Sequence, residues 1–317
     1  MMRRLLAGVV AAIACAVALL AGWLHWGREW PWASAVLAAA AVPVVVDAAI
    51  LGQQFVIGAW FRRRTRPDLR FGAGASLRAW LGEIAASLRT FFYAQLRYGA
   101  RALPSGDAPG RVPVLLVHGY FCNRGIWQPL ARWLAARGHA VGSVNLEPVF
   151  ASIDDYVPLV AEGIERLRAR TGAARVAVVA HSMGGLAVRA FVARHGAGAL
   201  CAVVTLGTPH RGTWLAGFGH GRNVSEMALD SDWLRTLAAR EPASARALFT
   251  VVLSHHDNIV VPQAIQTLEG ARTVELAARG HVALAYDRAV WGLAARAIDA
   301  GASVGGSAGP GAGTIVV

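Results

Sequence analysis

Lysine is absent from this chain of 317 residues, so all 31 of its basic side chains are arginine. Acidic residues number only 19, and the formal net charge is +12. The arginines are spread over the whole sequence, and no nucleic-acid-binding motif accompanies them. The absence of lysine indicates a bias in genome composition, and the positive charge does not predict a nucleic acid as a partner.

Cysteine is scarce as well, with Cys15, Cys122 and Cys201 as the three in the chain. So small a number excludes a framework of disulfides. Cys122 and Cys201 could pair in principle, but free thiols are the default prediction. The length allows one domain with a sizeable core besides an N-terminal appendage, and it leaves no room for a second large domain.

Two long apolar stretches open the chain, at residues 5–26 and at about 33–61. Each is long enough to cross a bilayer as a helix, and the tryptophans at their join, Trp23, Trp26, Trp30 and Trp32, are typical of a membrane interface. We predict a transmembrane helical hairpin over residues 1–67, with the bilayer as a partner. Arg3 and Arg4 before the first helix and Arg62 to Arg66 after the second place both ends in the cytoplasm by the positive-inside rule.

An exported protein is the competing interpretation of this region. Residues 1–21 resemble a secretory signal, and Cys15 follows a poor lipoprotein-type cleavage site. Export would place the rest of the chain in the periplasm or outside the cell. It is disfavoured because apolar sequence continues past Cys15 and a second spanning stretch follows.

Asp47 interrupts the second apolar stretch near Pro43, which is expected to kink the helix rather than end it. A carboxyl group in a span costs about 2.5 to 3.5 kcal/mol on insertion scales. A polar contact to the first helix or to another subunit would satisfy Asp47; a protonated or interface-shifted side chain is the preferred interpretation.

Residues 68–109 are predicted to form a juxtamembrane helix and a linker. Apolar side chains recur at helical spacing between residues 77 and 96, with arginines between them. Such an amphipathic helix either lies on an anionic membrane surface or packs onto the domain that follows. Residues 104–110, rich in proline, glycine and serine, are the expected hinge.

Apolar strands alternate with amphipathic helices from residue 110 onward. The candidate strands are residues 114–117, 140–144, 176–180, 202–206, 249–253 and 272–276. Continuous apolar strands between such helices predict an α/β fold over residues 110–298, with a mostly parallel sheet covered by helices on both faces. Residues 299–317, rich in glycine and alanine, are predicted to be a disordered tail.

Ser182 lies where the strand at 176–180 turns into a helix, and Gly184 and Gly185 follow it. The glycines let the backbone pass closely, so this turn is predicted to be a nucleophile elbow that exposes the serine hydroxyl. Ala180 stands where the usual G-x-S-x-G motif has its first glycine. The alternative interpretation is a tight strand-to-helix turn without a catalytic role.

Asp257 and His281 follow two later strands, which completes the chain order Ser, Asp, His. That order is typical of one class of catalytic triad, and the carboxyl ends of parallel strands are where open α/β sheets place their sites. The backbone N–H groups of Tyr120, in a glycine turn after an earlier strand, and of Met183 are the predicted oxyanion donors. Weaker candidates for the acid are Asp230, Asp232, Glu275 and Asp287.

Several histidines surround the predicted site, namely His118, His181, His210, His255 and His256. None of them forms H-E-x-x-H or a similar zinc signature, and histidines beside strand ends are more often hydrogen-bonded loop residues. No catalytic metal and no cofactor are predicted.

These motifs together resemble those of bacterial lipases and esterases of the α/β-hydrolase superfamily, which includes triacylglycerol lipases. The matching segments are residues 117–120, 180–185, 206–213, 254–262 and 280–282, within a resemblance that covers about residues 110–295. The resemblance implies an α/β-hydrolase fold. The positive-inside rule separately predicts that this domain follows the transmembrane hairpin on the cytoplasmic side of a bacterial inner membrane. The resemblance also implies a serine hydrolase that cleaves carboxylic esters, but neither the acyl chain nor the alcohol follows from it. Apolar residues of the segment at 209–246 favour lipid esters or other aliphatic acyl esters as substrates.

Two other functions remain open at this point. An acyltransferase or thioesterase would use the same serine, aspartate and histidine. A non-catalytic membrane scaffold would keep the fold for binding a partner, although the intact set of catalytic residue types argues against it. The sequence does not indicate an oligomeric state.

Residues 209–246 lack a clear strand and are predicted to be a cap or acyl-binding insert. Trp214, Leu215 and Phe218 are its candidate substrate-binding residues, and glycines at 217–221 would let the segment move. The alternative interpretation is an ordinary helix packed on the core, and the two are compatible.

Overall fold

The computed structural model describes residues 1–303 and 314–316. Its N-terminal part is a hairpin of two helices, α1 (Met2–Gly22), continued by a π-helical turn (Trp23–Gly27), and α2 (Trp32–Thr65). At the join, the rings of Trp26 and Trp32 meet edge to face with centroids 5.1 Å apart. Pro43 lies inside α2, as predicted. Both helices are long and apolar enough to cross a membrane.

A second helical layer follows the hairpin: α3 (Ala73–Arg89), a π-helical turn (Thr90–Ala94) and α4 (Gln95–Tyr98). It packs against α2, because Trp80 Nε1 donates a hydrogen bond to the carbonyl of Ala48 over 2.9 Å. Ser87 Oγ donates to Asp47 Oδ1 over 3.0 Å. Asp47 therefore has a hydroxyl partner on α3, which the sequence analysis did not name.

The rest of the described chain is built on a parallel sheet of seven strands in the order β2-β1-β3-β4-β5-β6-β7. The strands are β1 (Val114–Val117), β2 (Val141–Val144), β3 (Val176–His181), β4 (Leu200–Leu206), β5 (Phe249–Ser254), β6 (Arg272–Leu276) and β7 (Thr314–Val316). The six predicted strands are all present, with ends that differ by two residues at most. β7 is an edge strand that the sequence analysis missed, and it pairs with β6.

Helices cover both faces of the sheet. They are α5 (Gln128–Ala135), α6 (Val157–Thr171), α7 (Met183–His195), α8 (Arg222–Glu226), α9 (Asp232–Arg240) and α10 (Arg288–Ser303). Alternate strand residues point to opposite faces, so Leu115 and Val178 pack with residues of α6 and α7. Leu116 and Val179 pack with residues of α5 and α10 on the other side. The predicted α/β architecture is confirmed.

The C-terminal end differs in part from the predicted disordered tail. Helix α10 continues to Ser303, and β7 pairs Thr314 with Thr273 and Val316 with Glu275. Residues 304–313 and 317, which also belong to the predicted tail, lie outside the described residues.

The predicted insert at 209–246 packs on the core through part of its length. Val224, Met227, Leu234 and Leu237 are buried in the cluster that contains α6 and α7. A buried ion pair closes the segment, since Arg189 of α7 lies 3.0 Å from Glu241 and also donates to the carbonyl of His210. The turn at Trp214–Phe218, by contrast, contains no buried residue.

Candidate active site

Ser182 directly follows β3 and precedes α7, at the carboxyl end of the sheet. Its backbone has φ 55° and ψ −130°, a strained conformation for a residue with a side chain. Hydrogen bonds hold the turn: the Ser182 N–H donates to Leu206 O over 2.8 Å, and its carbonyl accepts from Thr208 Oγ1 over 2.9 Å. The strain and the supporting bonds are those expected of a nucleophile elbow.

Glycines make this close approach of segments possible. A Cβ atom at Gly184 would lie 2.7 Å from the carbonyl oxygen of Val117. A Cβ atom at Gly119 would lie 2.7 Å from the Cβ of Ser182 itself. Any larger residue at either position would therefore push residues 117–120, the candidate oxyanion loop, away from the serine.

Asp257 and His281 lie together after β5 and β6. His281 Nδ1 is 2.9 Å from Oδ2 and 3.1 Å from Oδ1 of Asp257, and both side chains are buried. The N–H groups of Ile259 and Val260 donate to Asp257 Oδ1 over 2.9 and 2.8 Å. These donors orient the carboxylate, and the proton on His281 Nδ1 leaves Nε2 with the lone pair of a general base.

Burial and the charge of Asp257 have opposite effects on the pKa of His281. Burial lowers the pKa of His281, but the charge of Asp257 and the hydrogen bond to it raise the pKa by more, so the net direction is upward. The ring of His181 lies 4.7 Å away, and its Nε2 donates to the carbonyl of His281 over 2.9 Å. Burial, followed by the charge of His281, lowers the pKa of His181 to about 3, so His181 is neutral.

Ser182 Oγ forms no hydrogen bond with His281 in the described part of the chain. In unliganded hydrolases such contacts are often long, and they shorten when substrate binds. The three candidate triad residues share one edge of the sheet, with Asp257 and His281 already in contact.

The candidate oxyanion loop is held by His118. Its Nδ1–H donates to the carbonyl of Gly119 over 2.9 Å, and its Nε2 accepts from the N–H of Leu146 over 3.0 Å. Burial lowers the pKa of His118 to about 4, so the ring is neutral and its tautomer is defined by these two partners. The sequence analysis predicted a hydrogen-bonded loop histidine here but could not identify its partners.

The N–H groups of Tyr120 and Met183 are available as donors, since neither is bonded to another described residue. Met183 begins α7, where the first amides of a helix have no partner within the helix. Its N–H group, next to Ser182, remains the candidate oxyanion donor.

The remaining acids and histidines have partners elsewhere. Glu275 bonds His255 Nε2 over 2.8 Å, Asp287 pairs with Arg279, Asp230 with Arg211 and Asp232 with Arg235. None of these four acids contacts His281. Among the residues that the structure describes, no group of three or more His, Cys, Asp or Glu side chains is arranged to hold a metal ion. All three cysteines are free thiols.

The N-terminal helices reach the loop that carries Asp257, which the sequence analysis did not anticipate. Arg62 Nη1 donates to the carbonyl of His255 over 2.7 Å. Gln263 Nε2 donates both to Gly58 O over 3.2 Å and to Asp257 O over 2.8 Å. No local sequence signal marks the contacts of Arg62 with His255 and of Gly58 with Gln263, because each joins residues about two hundred positions apart.

The predicted substrate-binding residues lie in the turn that follows Thr213 and are partly exposed. Phe218 is 74% exposed and Trp214 is 38% exposed, while Leu215 is half-buried. The Trp214 N–H donates to the carbonyl of Val261, in the loop after Asp257, over 2.8 Å, and the Trp214 ring lies 5.5 Å from that of Phe61 in α2. Farther along, Tyr120 Oη donates to the carbonyl of His220 over 2.8 Å.

Known proteins share this architecture. A family model described as alpha/beta hydrolase fold matches residues 112–257. The mature form of a lipase from Bacillus licheniformis is 15% identical with a TM-score of 0.54, and the match covers 62% of this chain and 95% of that one. For the propeptide form the values are 16% identity, TM-score 0.51, 58% of this chain and 49% of that chain.

Lipase B of Aspergillus fumigatus is 19% identical with a TM-score of 0.54. The match covers 69% of this chain and 63% of the fungal one. The chain thus spans about half of the propeptide form and less than two thirds of the fungal lipase. At these identities the likenesses establish the fold.

Proposed function

Since the chain is an α/β-hydrolase-fold protein similar to lipases and esterases, we propose that it hydrolyses carboxylic esters through an acyl-enzyme on Ser182. The observation that carries this proposal is the strained turn at Ser182 on the same sheet edge as the buried Asp257–His281 pair. A serine in a strained backbone beside a histidine with an oriented tautomer is the arrangement that nucleophilic catalysis requires.

In the first step, Ser182 Oγ attacks the ester carbonyl carbon while His281 Nε2 takes the hydroxyl proton. The carbonyl oxygen becomes an oxyanion and accepts hydrogen bonds from the N–H groups of Tyr120 and Met183. Asp257 stabilises the imidazolium. When the tetrahedral intermediate collapses, the bond to the alcohol oxygen breaks, and His281 gives its proton to the departing alcohol.

In the second step, a water molecule attacks the acyl carbon of the acyl-enzyme, and His281 takes a proton from the water. The second oxyanion meets the same two N–H groups. Its collapse breaks the bond to Ser182 Oγ, which regains the proton from His281, and the carboxylic acid leaves. Loss of one oxyanion donor is expected to lower kcat by about 100- to 1,000-fold.

Lipid esters are the proposed substrates. Support comes from a set of aromatic side chains that we call the aromatic arc: Phe61, Phe121, Phe150, Trp214 and Phe218. Its rings form two groups: in one, Phe61 lies 5.5 Å from Trp214 and Trp214 lies 5.0 Å from Phe218, and in the other, Phe121 lies 6.4 Å from Phe150. Phe121 and Phe150 also contact the ring of Tyr120. Exposed aromatic surface beside a catalytic serine suits an acyl chain better than a soluble, polar ester.

One group of the aromatic arc lies at each helix of the hairpin. At one end Phe61 belongs to α2, and at the other Phe121 packs on Met2 and Leu6 of α1. These contacts involve the start of α1 and the end of α2. We propose that residues 11–27 and 32–47, on the side of the hairpin turn, cross the bilayer. At a rise of 1.5 Å per residue each is about 25 Å long, near the thickness of the hydrocarbon layer.

The proposed orientation has both helix ends and the hydrolase in the cytoplasm. It is supported by Arg3 and Arg4 at one end and by Arg62, Arg63 and Arg64 at the other. A site next to the start of α1 and the end of α2 would lie beside the membrane surface, where lipid esters are concentrated.

The test of the proposed function is covalent labelling of membranes with a fluorophosphonate probe. The wild type is expected to be labelled and Ser182→Ala is not, with a loss of esterase activity of up to about 10⁶-fold for the variant. Esters of increasing acyl length, offered in mixed micelles, then define the substrate, and competing alcohols reveal acyl transfer. If folded wild-type protein stays unlabelled in detergent, the catalytic proposal is refuted.

A further inference from the structure

Polar side chains of the N-terminal helices hold the backbone around His281. We use the name brace for Glu83 of α3, Gln54 of α2 and Asn258, the loop residue that links Gln54 to the base. We propose that the brace positions His281 for proton transfer, with Glu83 as its principal residue, so that the juxtamembrane helices form part of the catalytic unit. This inference rests on the proposed function.

Glu83 is fully buried beside the base. Its Oε1 accepts the N–H of Val282 over 2.8 Å, and its Oε2 accepts the N–H of Ala283 over 2.9 Å. These amides open the short helical turn Val282–Ala285 that directly follows His281. The two oxygens of one carboxylate thus accept hydrogen bonds from two consecutive amides. A charged acceptor holds this backbone more strongly than a neutral one would.

Gly280 leaves the space that this carboxylate occupies. A Cβ atom at Gly280 would collide with the Glu83 side chain, including its Cβ and carboxyl carbon at 2.7 Å. Glu83 therefore contacts the backbone on both sides of His281, at residues 280 and 282. Glu83 and Gly280 therefore fit one another, because a side chain at position 280 would occupy the space of the Glu83 carboxylate.

Asn258 supplies the second contact of the brace. Its Oδ1 accepts the N–H of His281 itself over 3.0 Å. Its Nδ2 donates to Gln54 Oε1 over 2.8 Å, which links the base to α2. Since Asn258 is the neighbour of Asp257, movement of α2 would displace the acid and the base together.

The titratable and charged groups that face His281 are Asp257, Glu83 and His181. Burial raises the pKa of Glu83 to about 7, against the opposing effect of the N–H groups of Val282 and Ala283. Above this pH the carboxylate is charged, and its charge raises the pKa of His281. Removal of that charge is expected to lower the pKa of His281, so the acidic limb of kcat/KM moves to lower pH.

The test compares Glu83→Gln with wild type and with the surface control Glu165→Gln, in full-length protein in detergent. Glu83→Gln retains one acceptor for the loop but loses the charge. We expect kcat to fall by about 10- to 100-fold, since small misplacements of a catalytic group have effects of this size. KM is expected to stay unchanged because Glu83 does not touch substrate, and the acidic limb is expected to move to lower pH. Gln54→Ala is expected to lower kcat by a smaller factor.

The outcomes are distinguishable. A Glu83→Gln enzyme with wild-type kcat and pH profile overturns the brace, and so does one with a lower melting temperature but wild-type kcat per labelled Ser182. If Glu83→Gln fails to fold, Gln54→Ala decides, because unchanged kcat in that variant overturns the link to α2. If the wild type itself is neither labelled nor active, it is the proposed function that fails.

Discussion

Helices α7 and α2 are both rich in alanine and valine, yet α7 is mostly buried and α2 is mostly exposed. Ten of the thirteen residues of α7 are buried, against five of the thirty-four residues of α2. α7 therefore finds its apolar surroundings within the protein, between the sheet and the insert. α2 packs against few apolar residues along most of its length, so many of its apolar side chains are exposed. The proposed bilayer would cover them.

The outer and inner parts of α2 differ in their contacts with the candidate site. Ala35 and Ala39 lie in the outer part, near the turn of the hairpin. Gly58 and Arg62 lie in the inner part and contact the loop that carries Asp257. A helix that reads as a uniform span in the sequence thus combines a proposed anchor with a support for the candidate site.

The largest expected difference between α7 and α2 comes from the same substitution, leucine to alanine, made in each helix. Leu186 in α7 is 0% exposed, and Leu37 in α2 is 72% exposed. Leu186→Ala is expected to lower the free energy of unfolding by about 2 to 5 kcal/mol, because it removes buried methyl groups and leaves a cavity. Leu37→Ala in detergent is expected to change it by less than about 0.5 kcal/mol. Chemical denaturation measures both, and equal effects would contradict the comparison.

The second prediction separates the inner part of α2 from the rest of the hairpin. A Cβ atom at Gly58 would lie 2.9 Å from Gln263 Nε2 and 3.2 Å from Asp257 O, whereas one at Gly8 of α1 would meet nothing within 4 Å. Gly58→Leu is expected to displace the acid loop and lower kcat by roughly 10- to 100-fold. Gly8→Leu serves as the matched control and is expected to retain wild-type kcat. Ester hydrolysis in the same detergent measures both, and a fully active Gly58→Leu would show that α2 is only a tether.

The third prediction concerns pH. His281 must be neutral to accept the serine proton, and its pKa lies above the ordinary value because Asp257 outweighs the effect of burial. kcat/KM is therefore expected to fall about tenfold for each pH unit below that pKa, with a midpoint above about 6.5. A pH profile with a soluble short-chain ester measures the midpoint. A midpoint below 6.5 would contradict the assignment of Asp257 as the partner of His281.

The smallest expected effect concerns the aromatic arc. Phe218→Ser removes the most exposed of its rings without touching the core. Hydrolysis of long-chain lipid esters in vesicles is expected to fall by a few-fold, and hydrolysis of a short soluble ester to stay unchanged. The control is Leu229→Ser, an exposed apolar residue of the same insert outside the aromatic arc. Equal losses in the two variants, or equal losses on both substrates, would remove the aromatic arc from the substrate proposal.

Much of the fold follows from local patterns, and the structure confirms those predictions. The strands at 114–117 and 272–276 have the predicted bounds, because continuous apolar runs bounded by turns leave few alternatives. The turn at Ser182 was recognisable because its glycines are needed at fixed positions next to the serine. The candidate pair Asp257 and His281 follows two strands whose parallel arrangement brings their ends together.

What the sequence by itself determined are features governed by neighbours in the chain: the alternation of strands and helices, the apolar hairpin, the serine turn and the order of the candidate triad. Tertiary structure alone decided that α3 carries a carboxylate to the base and that α2 carries Gln54 and Gly58 to the acid loop. Nothing near Glu83 in the sequence distinguishes it from the polar side of an ordinary amphipathic helix. Its role is set by which loop that helix packs against, and packing between segments two hundred residues apart leaves no mark on the local pattern.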